Sequence, residues 1–200
     1  MISPASLEGG GLRVVFARHG DRYAHSVFLT AGGVPTDVRG ISHSSVSTTE
    51  VESSSGLLLE SMEGTPDDDW PVSPALRELH FEDRADGRRL ALLVGMAGRS
   101  HWSLSVELDA ARGQLVFDVA CRLRSPPARL GSRYRLSAGS AECPQTPLTI
   151  ESIDGQSARL VMMADGELVV EPPRFAGPWP STIRWRYLVQ GRGGMSGFPV

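Results

Sequence analysis

The sequence contains no lysine, and all 20 of its basic residues are arginine. An enzyme that forms a Schiff base on lysine, or that uses a lysine amine in catalysis, is therefore excluded. With only two cysteines, the chain cannot form a CxxC metal site or a dense disulfide framework. No run approaches the roughly 20 apolar residues of a membrane-spanning helix.

Other absences narrow the class of protein further. The net charge is −3, without the positive excess that is typical of proteins that bind nucleic acid. The first residues have neither the basic start nor the apolar segment of a secretory signal. Asp67-Asp68-Asp69 lacks the spaced ligands and the glycine of a calcium-binding loop. We expect a soluble cytoplasmic protein that binds neither nucleic acid nor membrane and uses no metal ion or cofactor.

Turn-forming residues are abundant. The chain has 22 Gly and 14 Pro among 200 residues, above the usual combined share of roughly 12%. Few windows show a helical period, whereas apolar and polar residues alternate in many short stretches. We expect a single all-β domain over residues 1–200 with mobile ends at 1–10 and 191–200. The predicted fold is an antiparallel β-sandwich or flattened barrel of about ten to twelve strands, with at most one or two short helical turns.

The most regular alternation covers residues 79–123 and predicts two hairpins. In the first, Asp86-Gly87 is a favoured pair for the centre of a two-residue turn. The pairs expected from that turn are Leu79–Val94 and Phe81–Leu92. Residues 90–94 are apolar at every position, which is typical of a central strand covered on both faces.

The second hairpin turns in the four-residue loop Ala110–Gly113. Loops of two, three or five residues leave residues unpaired or place a core face against a polar one. The expected pairs are His101–Arg122, Leu104–Val119 and Val106–Phe117. Cys121 then points inward, and we expect a buried free thiol.

Residues 12–29 predict a hairpin that turns at Gly20-Asp21, with the pairs Leu12–Leu29, Val14–Val27 and Phe16–His25. The triplet Arg18-His19-Gly20 resembles the signature of the histidine phosphatases, in which the His is phosphorylated and the Arg binds phosphate. That family also requires an α/β sandwich and a second His late in the chain. No histidine follows His101 here, so a turn with polar flanks is the favoured interpretation.

Further elements follow from alternation and turn residues. Ser73-Pro74 begins a short predicted helical turn that reaches Leu76. Asp165-Gly166 as a two-residue turn predicts the pairs Val161–Val170 and Met163–Leu168. The C-terminal strands are expected to form a meander with a second turn at Asp154-Gly155. The remaining expected strands cover residues 40–47, 57–62, 134–136, 148–153, 158–163, 167–170 and 182–189.

Three outward residues of the second hairpin are weak catalytic candidates, namely His101, Glu107 and Asp118. A triad requires the base between the nucleophile and the acid. His101 faces Arg122 instead and lies two cross-strand rows from Asp118, beyond hydrogen-bond reach at roughly 7 Å or more per diagonal. We therefore expect a solvated strand face rather than an active site.

The ligand-binding candidates are Arg99, His101, Arg122, Arg124 and Trp179. The guanidinium fork suits carboxylate and phosphate groups. Arg99 and His101 adjoin the predicted turn 95–100, whose two glycines permit unusual backbone shapes. That turn lacks the spacing and the Lys of a phosphate loop, so a plain connection with two left-handed positions is the favoured interpretation of the turn, and an anion-binding turn is the alternative.

Charge is unevenly distributed along the chain. Residues 50–86 contain eleven acidic residues and two Arg, whereas residues 122–135 contain five Arg and no acidic residue. Such segments can complement one another within the molecule, between copies or with a protein partner. Self-association or a protein partner through these segments is therefore expected, with a small ligand as the alternative.

No catalytic constellation emerges from the residues. The hypothesis that this favours is a binding or interaction module without chemistry of its own. A hydrolase on a β-scaffold, acting on sugars or phosphate esters, and a self-associating structural protein are the alternatives.

Overall fold

The computed structural model describes residues 5–30, 56–65, 67–86, 88–137, 148–153 and 158–191. Within these ranges the chain forms thirteen β-strands and no helix. Their bounds are β1 Ala5–Gly9, β2 Leu12–His19, β3 Arg22–Leu29, β4 Gly56–Ser61, β5 Glu78–Asp83, β6 Arg89–Ala97, β7 Ser100–Asp109, β8 Gln114–Leu123, β9 Ser132–Leu136, β10 Leu148–Ser152, β11 Arg159–Met162, β12 Glu167–Glu171 and β13 Ser181–Gly191.

The strands form two antiparallel sheets packed face to face. The seven-stranded sheet has the order β1-β2-β3-β4-β9-β12-β11, and the six-stranded sheet has the order β10-β13-β8-β7-β6-β5. The inward side chains of both sheets belong to one buried cluster. The predicted all-β sandwich is confirmed, with one strand more than expected. Because the end strands of each sheet, as described, do not pair with one another, the sandwich is open and not a barrel.

Strict alternation along β7, β8 and β13 builds the centre of the core. Burying one large apolar side chain stabilises the fold by about 1.5–3 kcal/mol. Cys121 is a free thiol at this centre, as predicted, and its burial raises its pKa to about 12. The inward residues of these strands are Trp102, Leu104, Val106, Leu108, Leu115, Phe117, Val119, Cys121, Leu123, Ile183, Trp185, Tyr187 and Val189.

Two hairpins have the predicted register. In both, a single loop length brings the apolar faces together, and a one-residue slip would expose them. Gly20 and Gly113 adopt positive φ in these turns, at 64° and 60°. The observed pairs include Val14–Val27 and Phe16–His25 in β2–β3, and Leu104–Val119 and Val106–Phe117 in β7–β8.

Two other hairpins lie one residue out of the predicted register. The observed pairs are Leu79–Leu93 and Phe81–Ala91 in β5–β6, and Val161–Val169 and Met162–Leu168 in β11–β12. The turn at Gly166 is a three-residue loop, in which Met163 N donates to Glu167 O at 2.8 Å and Gly166 has φ 79°. An Asp-Gly pair fits such a loop as well as a two-residue turn, so the dipeptide alone does not decide the register.

The slip changes the outer face of β6. Ala91 and Leu93 point into the core, whereas Val94 and Met96 point outward and are 47% and 41% exposed. β6 lies next to the edge strand β5 and not at the centre of the sheet. The prediction of a central strand covered on both faces is therefore wrong, and apolar side chains face solvent on this surface.

The predicted helical turn at 73–76 is absent. Residues 71–77, here the connecting segment, have no regular secondary structure and run between the two sheets. Their backbone bonds are Leu76 O with Tyr23 N of β3 at 2.7 Å, and Arg77 N with Val94 O of β6 at 2.8 Å. In a helical turn, backbone N–H and C=O groups four residues apart would bond within the segment itself. Instead, the segment forms backbone hydrogen bonds to both sheets. The N-cap pattern in the sequence does not reveal these long-range bonds.

We expect Ser73→Ala to lower the free energy of unfolding by about 1–3 kcal/mol, because it leaves buried polar groups without a partner. The Ser73 hydroxyl is 1% exposed. It donates to Arg133 O at 3.1 Å and accepts from Arg133 N at 3.0 Å, which ties the connecting segment to β9. Denaturant unfolding measures the loss. The exposed Ser103→Ala is the control, and an equal loss in both variants would contradict this role.

The ends and the last third of the chain differ from expectation. β10 pairs with β13 in the six-stranded sheet, whereas β11 pairs with β12 in the seven-stranded sheet. The chain thus changes sheets between β10 and β11, and the predicted meander is wrong.

The segment 1–10, expected as a mobile end, contains β1, which pairs with β2. Strand 40–47, the Asp154-Gly155 turn, Cys143 and residues 192–200 lie outside the described residues.

Candidate functional site

A groove runs across the outer face of the six-stranded sheet. The pairing of β6, β7, β8 and β13 arranges the outward side chains in cross-strand rows. One row is Met96, His101, Arg122 and Thr182, and the next is Val94, Ser103, Ala120 and Arg184. Because Ser103 and Ala120 are small, the second row is low at its centre and the longer side chains around it form walls.

Two adjoining depressions make up this outer groove. Each has a volume of about 590 Å³, and they share His101 and Arg122. Volumes of roughly 300–1,000 Å³ are typical of small-molecule sites. The groove is therefore large enough for a ligand, and its floor consists of paired strands rather than loops.

One depression, here the basic end, is lined by Arg99, His101, Arg122, Arg124 and Pro180. Four of the five ligand-binding candidates thus lie around one depression. Among the described residues, none of the three guanidinium groups pairs with a carboxylate. Their donors face solvent and are available to an anion.

The turn that presents Arg99 is shorter than predicted. β6 continues to Ala97, which pairs with Ser100, so only Gly98 and Arg99 form the turn. Gly98 has φ 52°, whereas Gly95 lies within β6. The prediction of two left-handed glycines is therefore wrong, and Arg99 and His101 line the same depression.

The other depression, here the apolar end, lies over β6. Val94, Met96 and Ala120 contribute its apolar surface, and Glu78 of the edge strand stands at its far wall. Arg77, next to Glu78, is held by an ion pair with Asp21 at 2.9 Å. The groove thus runs from three free guanidinium groups, over apolar side chains, to a carboxylate.

Trp179 lies beside the basic end without being one of the residues that line it. It directly precedes Pro180, to which it is joined by a cis peptide bond. Its half-buried ring packs edge-on against Phe175, with 5.6 Å between the ring centroids. Trp179 therefore shapes the loop that carries Pro180.

The three weak catalytic candidates do not converge. Arg184 Nε donates to Asp118 Oδ1 at 2.6 Å, and Glu107 Oε2 lies 3.5 Å from Arg84 Nη1. His101 lies in the outer groove, six positions from Glu107 along β7, or about 20 Å at 3.3 Å per residue. Both carboxylates are neutralised by arginines, and neither is near the imidazole.

The acidic and basic segments do not form two complementary faces. Arg122 and Arg124 lie at the outer groove of the six-stranded sheet. Arg133 and Arg135 lie on β9 of the seven-stranded sheet, where Arg133 contacts Glu167 at 3.4 Å and Arg135 contacts Glu60 at 3.6 Å. One pair thus joins the two segments within the chain.

A buried polar cluster between the sheets is a feature that the sequence analysis missed. His25 Nε2 lies 2.9 Å from the Tyr134 hydroxyl, which in turn contacts the Tyr187 hydroxyl. All three side chains are at most 3% exposed. Burial raises the pKa of Tyr187 to about 12 and lowers the pKa of His25 to about 4. The imidazole is therefore neutral at physiological pH.

Glu63 extends this cluster. Ser61 Oγ donates to Glu63 Oε1 at 2.7 Å and accepts from His25 N at 2.8 Å. Burial raises the pKa of Glu63 to about 7, although Ser61 and Arg22 act in the opposite direction. The buried Arg22 donates to Thr65 O at 2.9 Å and pairs with Asp21. The only sequence signal was His25 at an inward position, and that signal does not reveal its partners.

The buried cluster has acid–base groups but no access for a substrate, because its His and both Tyr are enclosed between the sheets. Across the described ranges, no three His, Cys, Asp or Glu side chains are grouped as a metal site would require. No helix of the described chain has the length and apolarity to cross a membrane.

The function of the chain has to be inferred from its own residues. The outer groove combines a cavity with charged groups that pair with no acid of the described residues. Comparisons with protein-family models, with curated proteins and with solved structures found no match to this chain.

Proposed function

We propose that this chain is a binding module without chemistry of its own, and that it holds an anionic ligand in the outer groove. The observation that carries the proposal is a set of three guanidinium groups around one depression, those of Arg99, Arg122 and Arg124, which pair with no carboxylate of the described residues. His101 stands among them and provides a further donor.

The electrostatics support an anion at this place. Like charges brought together on one surface repel, and a bound carboxylate or phosphate relieves that repulsion while accepting charge-assisted hydrogen bonds. Most other arginines of the described chain pair with a nearby acid, as in the Arg184–Asp118 and Arg159–Glu171 pairs. At the basic end, three arginines without such an acid surround one depression.

Arg122→Gln and Arg124→Gln test this function. We expect inorganic phosphate to bind the parent protein and to raise its melting temperature, because a ligand that binds only the folded state stabilises it. Each variant should weaken binding about 10- to 100-fold, since a hydrogen bond to a charged group contributes about 1.5–3 kcal/mol. Isothermal titration calorimetry at low ionic strength measures the affinity.

The matched control is Arg135→Gln, which removes one exposed positive charge from the seven-stranded sheet. Its ion pair with Glu60 is exposed and contributes about 0–1 kcal/mol. Phosphate affinity should be unchanged in this variant. Equal weakening in all three variants would indicate a net-charge effect, and absence of phosphate and carboxylate binding to the parent would refute the site.

The alternatives find less support. A hydrolase needs an acid near an imidazole at an accessible place, and His101 lies about 20 Å from Glu107 by strand geometry. Self-association through complementary segments needs one acidic face and one basic face. The Arg residues of the basic segment are divided between the two sheets.

A further inference from the structure

We infer that the ligand of the outer groove is an anionic amphiphile, with its acidic head at the basic end and an alkyl chain over Val94 and Met96. This inference rests on the proposed function and adds the chemical class of the ligand. The apolar end joins the basic end through His101 and Arg122, so one molecule can occupy both.

The apolar end is suited to an apolar partner. Val94 and Met96 are 47% and 41% exposed although they are adjacent on the outer face of one strand. Paired strands hold both side chains in place, so the surface exists before a ligand binds. Covering it removes apolar area from water, which an inorganic anion at the basic end would leave exposed.

The carboxylate of Glu78 defines the far end. Glu78 pairs with Val94 across β5 and β6 and is exposed. Three strand spacings of about 4.8 Å, plus an offset of two residues or about 6.6 Å along β8, separate Glu78 from Arg122. About 16 Å therefore lies between their Cα atoms, comparable with an extended fatty acid of about ten to twelve carbons. A second acidic group at the end of that chain would meet Glu78. The guanidinium of Arg77, which also lines this end, already pairs with Asp21, so the groove selects against diacids.

A series of saturated carboxylates tests the class of ligand. We expect affinity to rise about twofold for each methylene between butyrate and decanoate, because the open groove covers roughly half of the chain. Sebacate, with a carboxylate at each end, should bind about tenfold more weakly than decanoate because its second charge faces Glu78. Titration calorimetry on the full chain, below the micelle-forming concentration, gives the affinities.

Three variants and one control compound identify the groove. Val94→Thr and Met96→Gln, at exposed positions, should each reduce the gain per methylene while butyrate affinity stays constant. Glu78→Gln should strengthen sebacate about fivefold and leave decanoate unchanged. Decyltrimethylammonium has the same chain with the opposite charge and should not bind.

The outcomes separate this inference from the proposed function. If butyrate and phosphate bind through Arg122 but longer chains gain nothing, the amphiphile inference is overturned and the anion site stands. Tight binding of decyltrimethylammonium, or equal binding of sebacate and decanoate, also overturns it. If neither phosphate nor any carboxylate binds, the proposed function falls and this inference falls with it.

Discussion

Replacing Glu63 by Gln is expected to stabilise the protein progressively, relative to the parent, as pH rises from about 4.5 to about 7. The folded-state pKa of Glu63 is raised by burial to about 7, from an ordinary value of 4.5. Between these values the folded state keeps a proton that the unfolded state has released. The parent therefore loses stability as pH rises, by about 1.4 kcal/mol per pH unit and about 3 kcal/mol in total. The glutamine variant does not carry this loss.

His25 contributes the opposite dependence. Burial lowers its pKa from 6.5 to about 4. Between these pH values the unfolded state binds a proton at His25 and the folded state does not. His25 therefore costs stability as pH falls from about 6.5 to about 4, again by about 1.4 kcal/mol per pH unit. We expect His25→Gln to gain stability relative to the parent over that range.

The two contributions cancel in the parent between about pH 4.5 and 6.5. In the unfolded state the one proton of the pair sits on His25, and in the folded state it sits on Glu63, so the number of bound protons is the same. The double variant should accordingly differ from the parent by a constant amount in this window. Denaturant titrations at several pH values give the free energy of unfolding of the parent, the two single variants and the double variant. Subtracting the parent value from each variant value removes the contributions of the other titrating groups, which all four proteins share.

Glu63→Gln keeps a group that can accept the Ser61 hydrogen bond, so the fold should persist. His25→Gln removes the imidazole that contacts Tyr134 and can lower stability at every pH. That constant loss does not affect the test, which uses only the change with pH. A difference from the parent that is flat across pH 4.5–7 for Glu63→Gln would show that this carboxyl titrates normally.

Gly95→Ala is expected to lower the free energy of unfolding by about 3 kcal/mol or more, because it forces backbone against backbone. A Cβ at Gly95 would lie 1.9 Å from Ala75 O, far inside contact distance. Ala75 belongs to the connecting segment, where Ala75 and Leu76 are at most 1% exposed. The segment is bonded to both sheets, so it cannot withdraw from β6 without breaking those bonds. Chemical denaturation followed by tryptophan fluorescence measures the loss.

Gly56→Ala is the matched control. Gly56 lies in β4, has an ordinary φ, and a Cβ there would meet nothing within 4 Å. Alanine at such a position reduces the freedom of the unfolded chain and stabilises by about 0.4–1 kcal/mol. If Gly95→Ala behaved like Gly56→Ala, the close approach of the connecting segment to β6 would be contradicted.

The predictions that succeeded depend on alternation over long strands. Ten residues on each of β7 and β8 leave one register that turns the alternating apolar side chains of both strands into the core. That register also places His101 opposite Arg122, so the position of two of the five residues that line the basic end follows from the alternation along the two strands. The hairpins that turn at Asp-Gly are different, because a two-residue and a three-residue turn both fit this dipeptide. The apolar pattern of their shorter strands hardly discriminates between the two resulting registers.

The all-β class, the hairpins with long alternating strands and the pairing of His101 with Arg122 were determined by the sequence itself, because these features depend on neighbours joined by a short turn. Only the tertiary structure decided which strands share a sheet, how the connecting segment binds both sheets, and that His25, Glu63, Tyr134 and Tyr187 meet in the interior. It also decided that Pro180 closes the basic end and that Val94 and Met96 stay uncovered. Those outcomes depend on contacts between residues that are far apart in the sequence, and no local sequence pattern encodes such contacts.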